Sequence, residues 1–267
     1  MKISIFTHFT DPENRGDPWK EALSCFNQFA DEVVTVGSNW QEEFKWSYIG
    51  EVFTEGFENS KGDWVINLPI DMFIHENDFK TLRDTLISNS SFPAVVFKKY
   101  KFFHPERYEF KSTIILAINK KFFPKIKFNG GGDLCLPTLN SELLDSNNLP
   151  LCPVPIWNYD TTFRNKEQIA HDRARFSRAW FREFGEYGDR GGPTDKEAFD
   201  AWYEMIKRRY AYHVNKLNLN DHPIFIKEKL YNLTSDQFGY DLFGLKNSIK
   251  FNKKALVNKY LNVFRNS

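Results

Sequence analysis

The sequence predicts an α/β protein: a single domain with a central, mostly parallel mixed sheet flanked by helices, and a helical C-terminal portion. Over about the first seventy residues, short apolar strands alternate with amphipathic helices, which is typical of parallel sheets. Beyond residue 165, long segments with helical periodicity replace the strands. With 267 residues the chain can form one large domain. We expect a core over residues 1–165 and a helical extension, packed on that core, over residues 166–267.

The first elements follow from apolar periodicity. Lys2–His8 is a short apolar strand, Trp19–Phe29 carries apolar residues on one helical face, and Glu32–Gly37 is a β-branched strand stopped by glycine. Tyr48–Phe53 is interpreted as a third short strand. Gly62–Asp71 then contains a buried strand with an acidic residue just beyond its carboxyl end.

The later elements widen the sheet and then turn helical. Two apolar stretches predict antiparallel strands, and a glycine-rich loop after them leads into a predicted helix. In chain order these elements are a helix over Asp78–Ser88, strands over Ala94–Phe103 and Ser112–Asn119, the loop Phe128–Asp133, and helices over Lys166–Phe184 and Thr194–Lys216.

Composition excludes several classes of protein. No apolar run is long enough to span a bilayer, and Met1–Phe6 lacks a signal-peptide pattern. The three cysteines (Cys25, Cys135 and Cys152) are dispersed and lack the spacing of a metal site. We therefore expect reduced structural cysteines and a cytoplasmic protein, in the host cytoplasm if the source is viral. The chain has no CxxC, HExxH, Walker or GxGxxG pattern.

Charge is distributed unevenly, although the net charge is only +1. Lys98–Lys127 contains nine basic residues against two acidic ones, and Lys246–Ser267 contains six basic residues and no acidic one. Such a distribution is typical of a basic face for a polyanion, and equally of a solvated surface whose acidic partners are near in space. The charge distribution alone does not distinguish a polyanion-binding face from a solvated surface.

Several segments occur in an order that resembles a known family: Phe6-Thr7, Arg15, Ala30–Ser38 and Gly62–Met72. Over about the first 135 residues they resemble the nucleotide-sugar-dependent glycosyltransferases of the GT-A fold, especially the inverting "family two" group. The resemblance implies a GT-A-like domain acting as a hexosyl- or pentosyltransferase. Its expected donor is a nucleotide-sugar, with a UDP-sugar favoured.

The resemblance also implies a donor site. The family motif Asp-x-Asp reads Pro69-Ile70-Asp71 here, so its first acid is missing. A divalent metal, Mn²⁺ or Mg²⁺, would neutralise the diphosphate, but the incomplete motif leaves metal dependence open. A capping role for the strand-end Asp71 is the other interpretation. The expected metal ligands are Asp71, Asn158 and Asp160, and the expected donor-binding residues are Thr7, Arg15, Gly37, Ser38, Asp71, Arg164 and Lys166.

An acceptor loop is the last implied feature. Gly130–Leu136 resembles the family's "GEDxxL" motif, which would make Asp133 the general base that deprotonates the acceptor hydroxyl. A helix N-cap role for Asp133 is the alternative. The pair His171-Asp172, in a predicted helix with arginines on its other face, is interpreted as a surface ion-pair row.

The acceptor itself has two candidate classes. The basic-aromatic segments Phe97–Phe103 and Lys120–Lys125 are suited to a phosphate backbone and an extruded base. They point to a hydroxymethylated base in DNA, as modified by some bacteriophages. The alternatives are a surface glycan or lipid-linked saccharide, and a non-catalytic nucleotide-sugar or nucleic-acid binding module. A nucleotidyltransferase would need a glycine-rich phosphate loop that Asp11–Pro18 does not supply.

Overall fold

A computed structural model describes residues 1–38, 40–130 and 135–248 of the chain. These residues form an α/β fold with a large mixed sheet and a small antiparallel sheet. The strands of the large sheet are β1 (Ile3–His8), β2 (Glu32–Val36), β3 (Trp64–Asn67), β4 (Met72–Phe73), β5 (Ala94–His104), β6 (Arg107–Asn119), β10 (Ile156–Asn158) and β11 (Asn215–Lys216). The small sheet contains β7 (Lys127–Asn129), β8 (Leu136–Leu139) and β9 (Glu142–Leu143).

The large sheet has the strand order β2-β1-β3-β6-β5-β10-β4, and β11 pairs with β6. β1 is parallel to β2 and β3, and β10 is parallel to β5. β6 lies between β3 and β5 and is antiparallel to both. Most strands in the described residues therefore point the same way, with β6 and β4 reversed, so their carboxyl ends meet at one edge of the sheet. The expected α/β fold with a central mixed sheet is confirmed.

Helices flank the sheet and dominate the C-terminal portion, as expected. Within the described ranges they are α1 (Pro12–Arg15), α2 (Trp19–Phe29), α3 (Tyr48–Asn59), α4 (Phe79–Ser88), α5 (Lys166–Phe184), α6 (Asp195–Tyr210), α7 (Ile224–Tyr231), α8 (Phe238–Asp241) and α9 (Leu245–Ser248). None of these helices is both long and apolar enough to cross a membrane.

One predicted strand is wrong. Tyr48–Phe53 belongs to helix α3, whose buried residues include Ile49, Val52, Phe53 and Phe57. Their spacing of three and four residues places them on one helical face, and this longer pattern outweighs the strand propensity of the aromatic and β-branched residues.

The ends of two later elements also differ from the prediction. The helix expected over Thr194–Lys216 ends at Tyr210, and a short strand pairs Asn215 and Lys216 with β6. The segment after the glycine-rich loop is strand β8 rather than a helix. Residues 131–134 of that loop, which include the expected base Asp133, lie outside the described residues.

Two apolar layers cover the two faces of the sheet, because successive strand residues point in opposite directions. On one face, Ile3 and Ile5 of β1 pack with α2, α4 and α7. On the other, Phe6 packs with α3 and with Ala179 of α5. β1 therefore directs its even-numbered side chains toward α3 and α5. The division of the chain at residue 165 stays a prediction.

Close packing between α3 and β1 gives a test of this arrangement. An added Cβ at Gly56 would lie 2.4 Å from a ring carbon of Phe6. We expect Gly56→Ala to lower the free energy of unfolding by about 1–3 kcal/mol through overpacking, despite alanine's higher helix propensity. Urea denaturation measures this. The control, Glu55→Ala, changes an exposed residue of the same helix and should match the wild type; equal stability of both variants would contradict the packing.

Candidate functional site

A cavity of about 560 Å³ lies at the carboxyl ends of β1, β3, β5 and β10. Helices α5 and α6 line its opposite side through Arg173, Phe176 and Trp202, among others. Ligands of open α/β sheets bind at this edge, and the volume is in the range of small-molecule sites. Side chains from residues 8 to 209 meet here, so the fold assembles the site from distant parts of the chain.

Asp71 stands at this edge, in the turn between β3 and β4. Its carboxylate Oδ2 accepts a hydrogen bond from Asn158 Nδ2 on β10, at 3.1 Å. Burial raises the pKa of Asp71 to about 6, assisted by the negative charges of Asp160 and Asp17 and opposed by Arg164. Its carboxylate is therefore poised to change charge near neutral pH.

Asp160 follows β10 in a turn and has a left-handed backbone conformation, with φ 38°. Its carboxylate contacts Lys101 Nζ at 2.7 Å and Arg173 Nη2 at 3.5 Å. Burial alone would raise the pKa of Asp160, but the positive charges of Lys101 and Arg173 hold it well below its ordinary value. Asp160 is thus a permanently ionised counter-charge for two cations of the cavity wall.

A buried network joins the loop after β1 to the start of α5. Arg164 Nε and Nη1 donate to Asp17 and Asp172, both at 3.0 Å. Arg15 contacts the same two carboxylates at 3.0 and 2.7 Å. Burial raises the pKa of Asp172, but Arg15 and Arg164 bring it down to about 2. These four side chains form an ionised wall that fixes the N-terminal loop against α5.

This network corrects one interpretation from sequence. His171-Asp172 is not a surface ion-pair row: His171 is exposed, whereas Asp172 is buried and bonded to Arg164. The local helical pattern could not reveal this, because the two arginines that donate hydrogen bonds to Asp172, Arg15 and Arg164, come from outside α5.

Three lysines project into the cavity from adjacent strands. Lys99 and Lys101 of β5 share one face and are 6% and 8% exposed, while the intervening Tyr100 points to the other face. Lys111 of β6 lies directly opposite Lys99 in the strand register.

The part of the cavity near β1 is aromatic. His8 contacts the rings of Phe53 and Trp40, with centroids 4.8 and 5.9 Å away, and Trp46 and Phe176 complete this side. Burial, assisted by Arg15, lowers the pKa of His8 to about 4, so its imidazole is neutral at physiological pH. The buried Nδ1 of His8 and Nε1 of Trp40 have no hydrogen-bond partner among the described residues.

Among the described residues that line the cavity, basic ones outnumber acidic ones by eight to five. The basic ones are Arg15, Lys99, Lys101, Lys111, Arg164, Arg173, Arg190 and Arg209, and the acidic ones are Asp17, Asp71, Asp160, Asp172 and Asp189. Four of the five acids form ion pairs with lining cations; within the described part of the chain, Asp71 shows none. The excess of positive charge suits an anionic ligand.

The expected metal ligands do not fit a protein-held divalent cation. Asp160 is neutralised by Lys101 and Arg173, and Asn158 presents its amide to Asp71 as a donor. Among residues 1–38, 40–130 and 135–248, no group of three or more His, Cys, Asp and Glu side chains is arranged to hold a metal ion. Mn²⁺ and Mg²⁺ prefer several oxygen ligands, whereas among the described carboxylates that line the cavity only that of Asp71 has no paired cation.

The cavity brings together five of the residues singled out from sequence. Arg15, Asp71, Asn158, Asp160 and Arg164 all line it. Arg164 reaches it through the buried network, so its guanidinium is already engaged by two carboxylates.

The other expected donor-binding residues do not line the cavity. Thr7 is fully buried on the face of β1 opposite His8. Gly37, with φ 77°, forms the turn that leads to Trp40, and Ser38 is exposed. Lys166 is exposed, and its ammonium lies 5.0 Å from the ring centre of Phe199.

Sequence reasoning missed several lining residues, and a usable signal existed for some. Placing Thr7 in β1 implies by strand alternation that its neighbour His8 faces the other layer. The same alternation separates Lys99 and Lys101 from the exposed Lys98. Arg173 had no comparable signal, because its place over the cavity depends on how α5 packs.

Comparisons with known proteins give only remote likenesses. No protein-family model and no curated protein sequence matches the chain. A crystal structure of S. aureus TarS has a TM-score of 0.34 and 10% identity, covering 80% of this chain and 44% of that chain. A crystal structure of TarS residues 1–349 has a TM-score of 0.35 and 9% identity, covering 93% of this chain and 91% of that chain. The same fragment in complex with UDP gives 0.34 at 10%, covering 88% and 80%.

The raised pKa of Asp71 predicts a gain in stability on its replacement. The unfolded carboxyl loses its proton near its ordinary pKa of 3.8, whereas the folded one keeps it to about pH 6. The contribution of Asp71 to stability should therefore fall as pH rises through this window and stay lower above it. We expect Asp71→Asn to raise the free energy of unfolding by about 1–3 kcal/mol near neutral pH, measured by urea denaturation at several pH values.

Asp17→Asn is the matched contrast in the same cavity. Asp17 is 6% exposed and accepts from both Arg15 and Arg164. Removing its charge leaves two guanidinium groups to share the single carboxylate of Asp172 within this network and should cost about 3–5 kcal/mol. A loss of stability for both variants near neutral pH would contradict the assignment of Asp71 as the destabilising carboxylate.

Proposed function

We propose that this protein is a glycosyltransferase that moves a sugar from a nucleotide-sugar, with a UDP-sugar favoured, to an acceptor hydroxyl. The observation that carries the proposal is the cavity itself, which joins an excess of cations to an aromatic pocket at the carboxyl edge of the sheet. A nucleoside diphosphate sugar has the complementary parts: an anionic diphosphate, a flat base, and a sugar rich in hydroxyls.

The aromatic side suits the base. Trp40, Trp46 and Phe176 offer rings for stacking. Nδ1 of His8 and Nε1 of Trp40, which have no hydrogen-bond partner in the part of the chain that the structure describes, offer polar contacts to the edge of the base. A neutral imidazole contributes one donor and one acceptor, which suits the mixed hydrogen-bonding edge of a pyrimidine.

The reaction needs a base and a site for the developing negative charge. The acceptor oxygen forms a bond to the anomeric carbon, the bond from that carbon to the diphosphate oxygen breaks, and the nucleoside diphosphate leaves with the electron pair. The acceptor proton passes to a carboxylate, for which Asp133 remains the proposed base. Ionised Asp71 would accept a hydrogen bond from a hydroxyl of the donor.

A donor-hydrolysis panel tests this function. Purified protein is incubated with UDP-, GDP- and dTDP-sugars, with and without Mn²⁺, and release of the nucleoside diphosphate is measured. We expect one nucleotide class to be hydrolysed slowly without acceptor. Because ionised Asp71 is needed, kcat/KM should fall about tenfold per pH unit below about pH 6.

Asp71→Asn separates an enzyme from a binding module. The variant keeps the shape of the side chain but cannot ionise, so we expect hydrolysis to drop at least about a hundredfold with the fold intact. Binding of the nucleotide without hydrolysis in the wild type would favour the non-catalytic module. Absence of both binding and hydrolysis for every donor would overturn the proposal.

The acceptor remains a choice between DNA and a glycan or lipid-linked saccharide. The basic segment at 98–127 is less available for DNA than its composition indicates. Lys99 and Lys101 are buried in the cavity wall, and Lys120 donates to the carbonyl oxygens of Phe57, Glu58 and Ser60. These three lysines are therefore engaged within the protein and do not face a DNA backbone. On the residues that the structure describes, we favour a saccharide as the acceptor.

Duplex DNA binding distinguishes the acceptors. If the acceptor is a saccharide, fluorescence anisotropy with a labelled DNA duplex should show weak binding at low salt. This binding should be no stronger than that of an unrelated protein of similar charge. Binding that weakens steeply with salt, in the manner of counterion release, would instead restore the hydroxymethylated base as acceptor. Duplexes with and without 5-hydroxymethylcytosine separate specific from general binding.

A further inference from the structure

We infer that His8 and Trp40 determine which base the donor carries. Together they bind a base whose edge has a carbonyl oxygen beside a ring N–H, such as uracil, and reject a base with an exocyclic amine there, such as cytosine. This inference rests on the proposed function, since it concerns the base of the same nucleotide-sugar donor. It goes beyond that function by naming the two side chains that discriminate between nucleotides.

The two side chains lie together at the aromatic end of the cavity. Both line its wall, and their ring centroids are 5.9 Å apart. His8 Nδ1 and Trp40 Nε1 are buried, and neither has a hydrogen-bond partner in the residues that the structure describes. A buried polar atom without a partner lowers stability. A ligand with a polar edge would supply the two partners that the described residues do not.

Trp40 has a restricted position and a single hydrogen-bonding role. Its ring meets those of Phe44 and Tyr48 edge to face, with centroids 5.6 and 5.5 Å away. These contacts restrict rotation of the indole. An indole Nε1–H donates and cannot accept, so the base atom that meets Trp40 must be an acceptor. A carbonyl oxygen fits this position, whereas an exocyclic amine would place two donors against each other.

His8 supplies the complementary acceptor. Its ring contacts that of Phe53, with centroids 4.8 Å apart. Burial, assisted by Arg15, lowers the pKa of His8 to about 4, so the imidazole is neutral at physiological pH and keeps one nitrogen as an acceptor. A cationic imidazole would have two donors and no acceptor. With Nδ1 as the acceptor, His8 binds the ring N–H of the base.

This pair of a donor and an acceptor matches one class of base. On the pairing edge of uracil, carbonyl O4 lies next to the N3–H group. In cytosine the same two positions are an amine and a ring nitrogen that accepts. Cytosine in the same pose would therefore oppose donor to donor and acceptor to acceptor. Thymine has the uracil edge, guanine has the same pattern on a larger ring, and adenine has the cytosine pattern.

Calorimetric binding of UDP, dTDP, GDP, CDP and ADP tests the inference, with Mn²⁺ and with EDTA. We expect UDP to bind about thirtyfold more tightly than CDP, because CDP leaves both buried atoms without a matching partner. Trp40→Phe keeps a ring for stacking but removes the N–H. It should weaken UDP about tenfold and leave CDP nearly unchanged. His8→Phe, which removes the acceptor, should have the same effect.

The ratio of the two dissociation constants separates discrimination from a merely structural role. A variant that damages stacking or the fold weakens UDP and CDP alike and leaves their ratio unchanged. Trp19→Phe is the matched control, because it makes the same substitution on α2, where Trp19 contacts Phe9. It should bind both nucleotides like the wild type. Thermal unfolding checks each variant, and His8→Phe serves as the second test if Trp40→Phe does not fold.

The outcomes separate this inference from the proposed function. Equal binding of UDP and CDP by the wild type, tighter binding of CDP or ADP, or a ratio that survives both substitutions overturns the inference and leaves a nucleotide-binding enzyme. Tight binding of GDP with weak binding of ADP and CDP supports the inference and changes the donor to a GDP-sugar. Failure of every nucleotide to bind, with Mn²⁺ and with EDTA, overturns the proposed function as well.

Discussion

The buried bonds of Arg164 to Asp17 and Asp172 are the interaction on which the site depends. Arg164 precedes the N-cap of α5, Asp17 lies in the loop after β1, and Asp172 is on the second turn of α5. The network therefore fixes one end of α5 relative to the sheet. Because Arg173 is the next residue along that helix, the same bonds set its position over Asp160. A buried charge group of this kind is costly unless complete, so the cavity wall has little freedom to rearrange.

The parts of the fold that could be predicted are those with a long periodic pattern. The helices over Trp19–Phe29 and Lys166–Phe184 begin and end where the sequence places them. Tyr48–Phe53 could not be assigned reliably from six residues, because a short apolar run fits both a strand and a helix. Asp71 was recognisable because an acid at a strand end has a local signature. The pair Asp17–Arg164 is separated by 147 residues, and no local pattern reports such a contact.

A count of charges along the sequence does not show which side chains face solvent and which are buried. The basic run after residue 97 looks uniform, yet the strand directs Lys98 to solvent and Lys99 and Lys101 into the cavity. Counting treats these lysines alike, although exposed ammonium groups cost little and buried ones need a counter-anion. The pleat thus directs part of a basic segment inward, where Lys101 pairs with Asp160. Once this segment is assigned as a strand, the alternation of its side chains separates Lys98 from Lys99 and Lys101.

The order of the strands places different kinds of side chain at the two ends of the cavity. β1, with His8, lies next to β3, and β6 and β5, with Lys111 and Lys99, follow beyond it. The aromatic and cationic sides are therefore separated across the sheet, which allows a ligand with a flat base at one end and phosphates beside it to bind in one orientation. Asp71 lies at the carboxyl end of β3, between these sides, and bonds to β10. Burial of the Asp71 carboxylate lowers the stability of the fold. Contact with a bound ligand therefore explains this residue better than a role in holding the fold together.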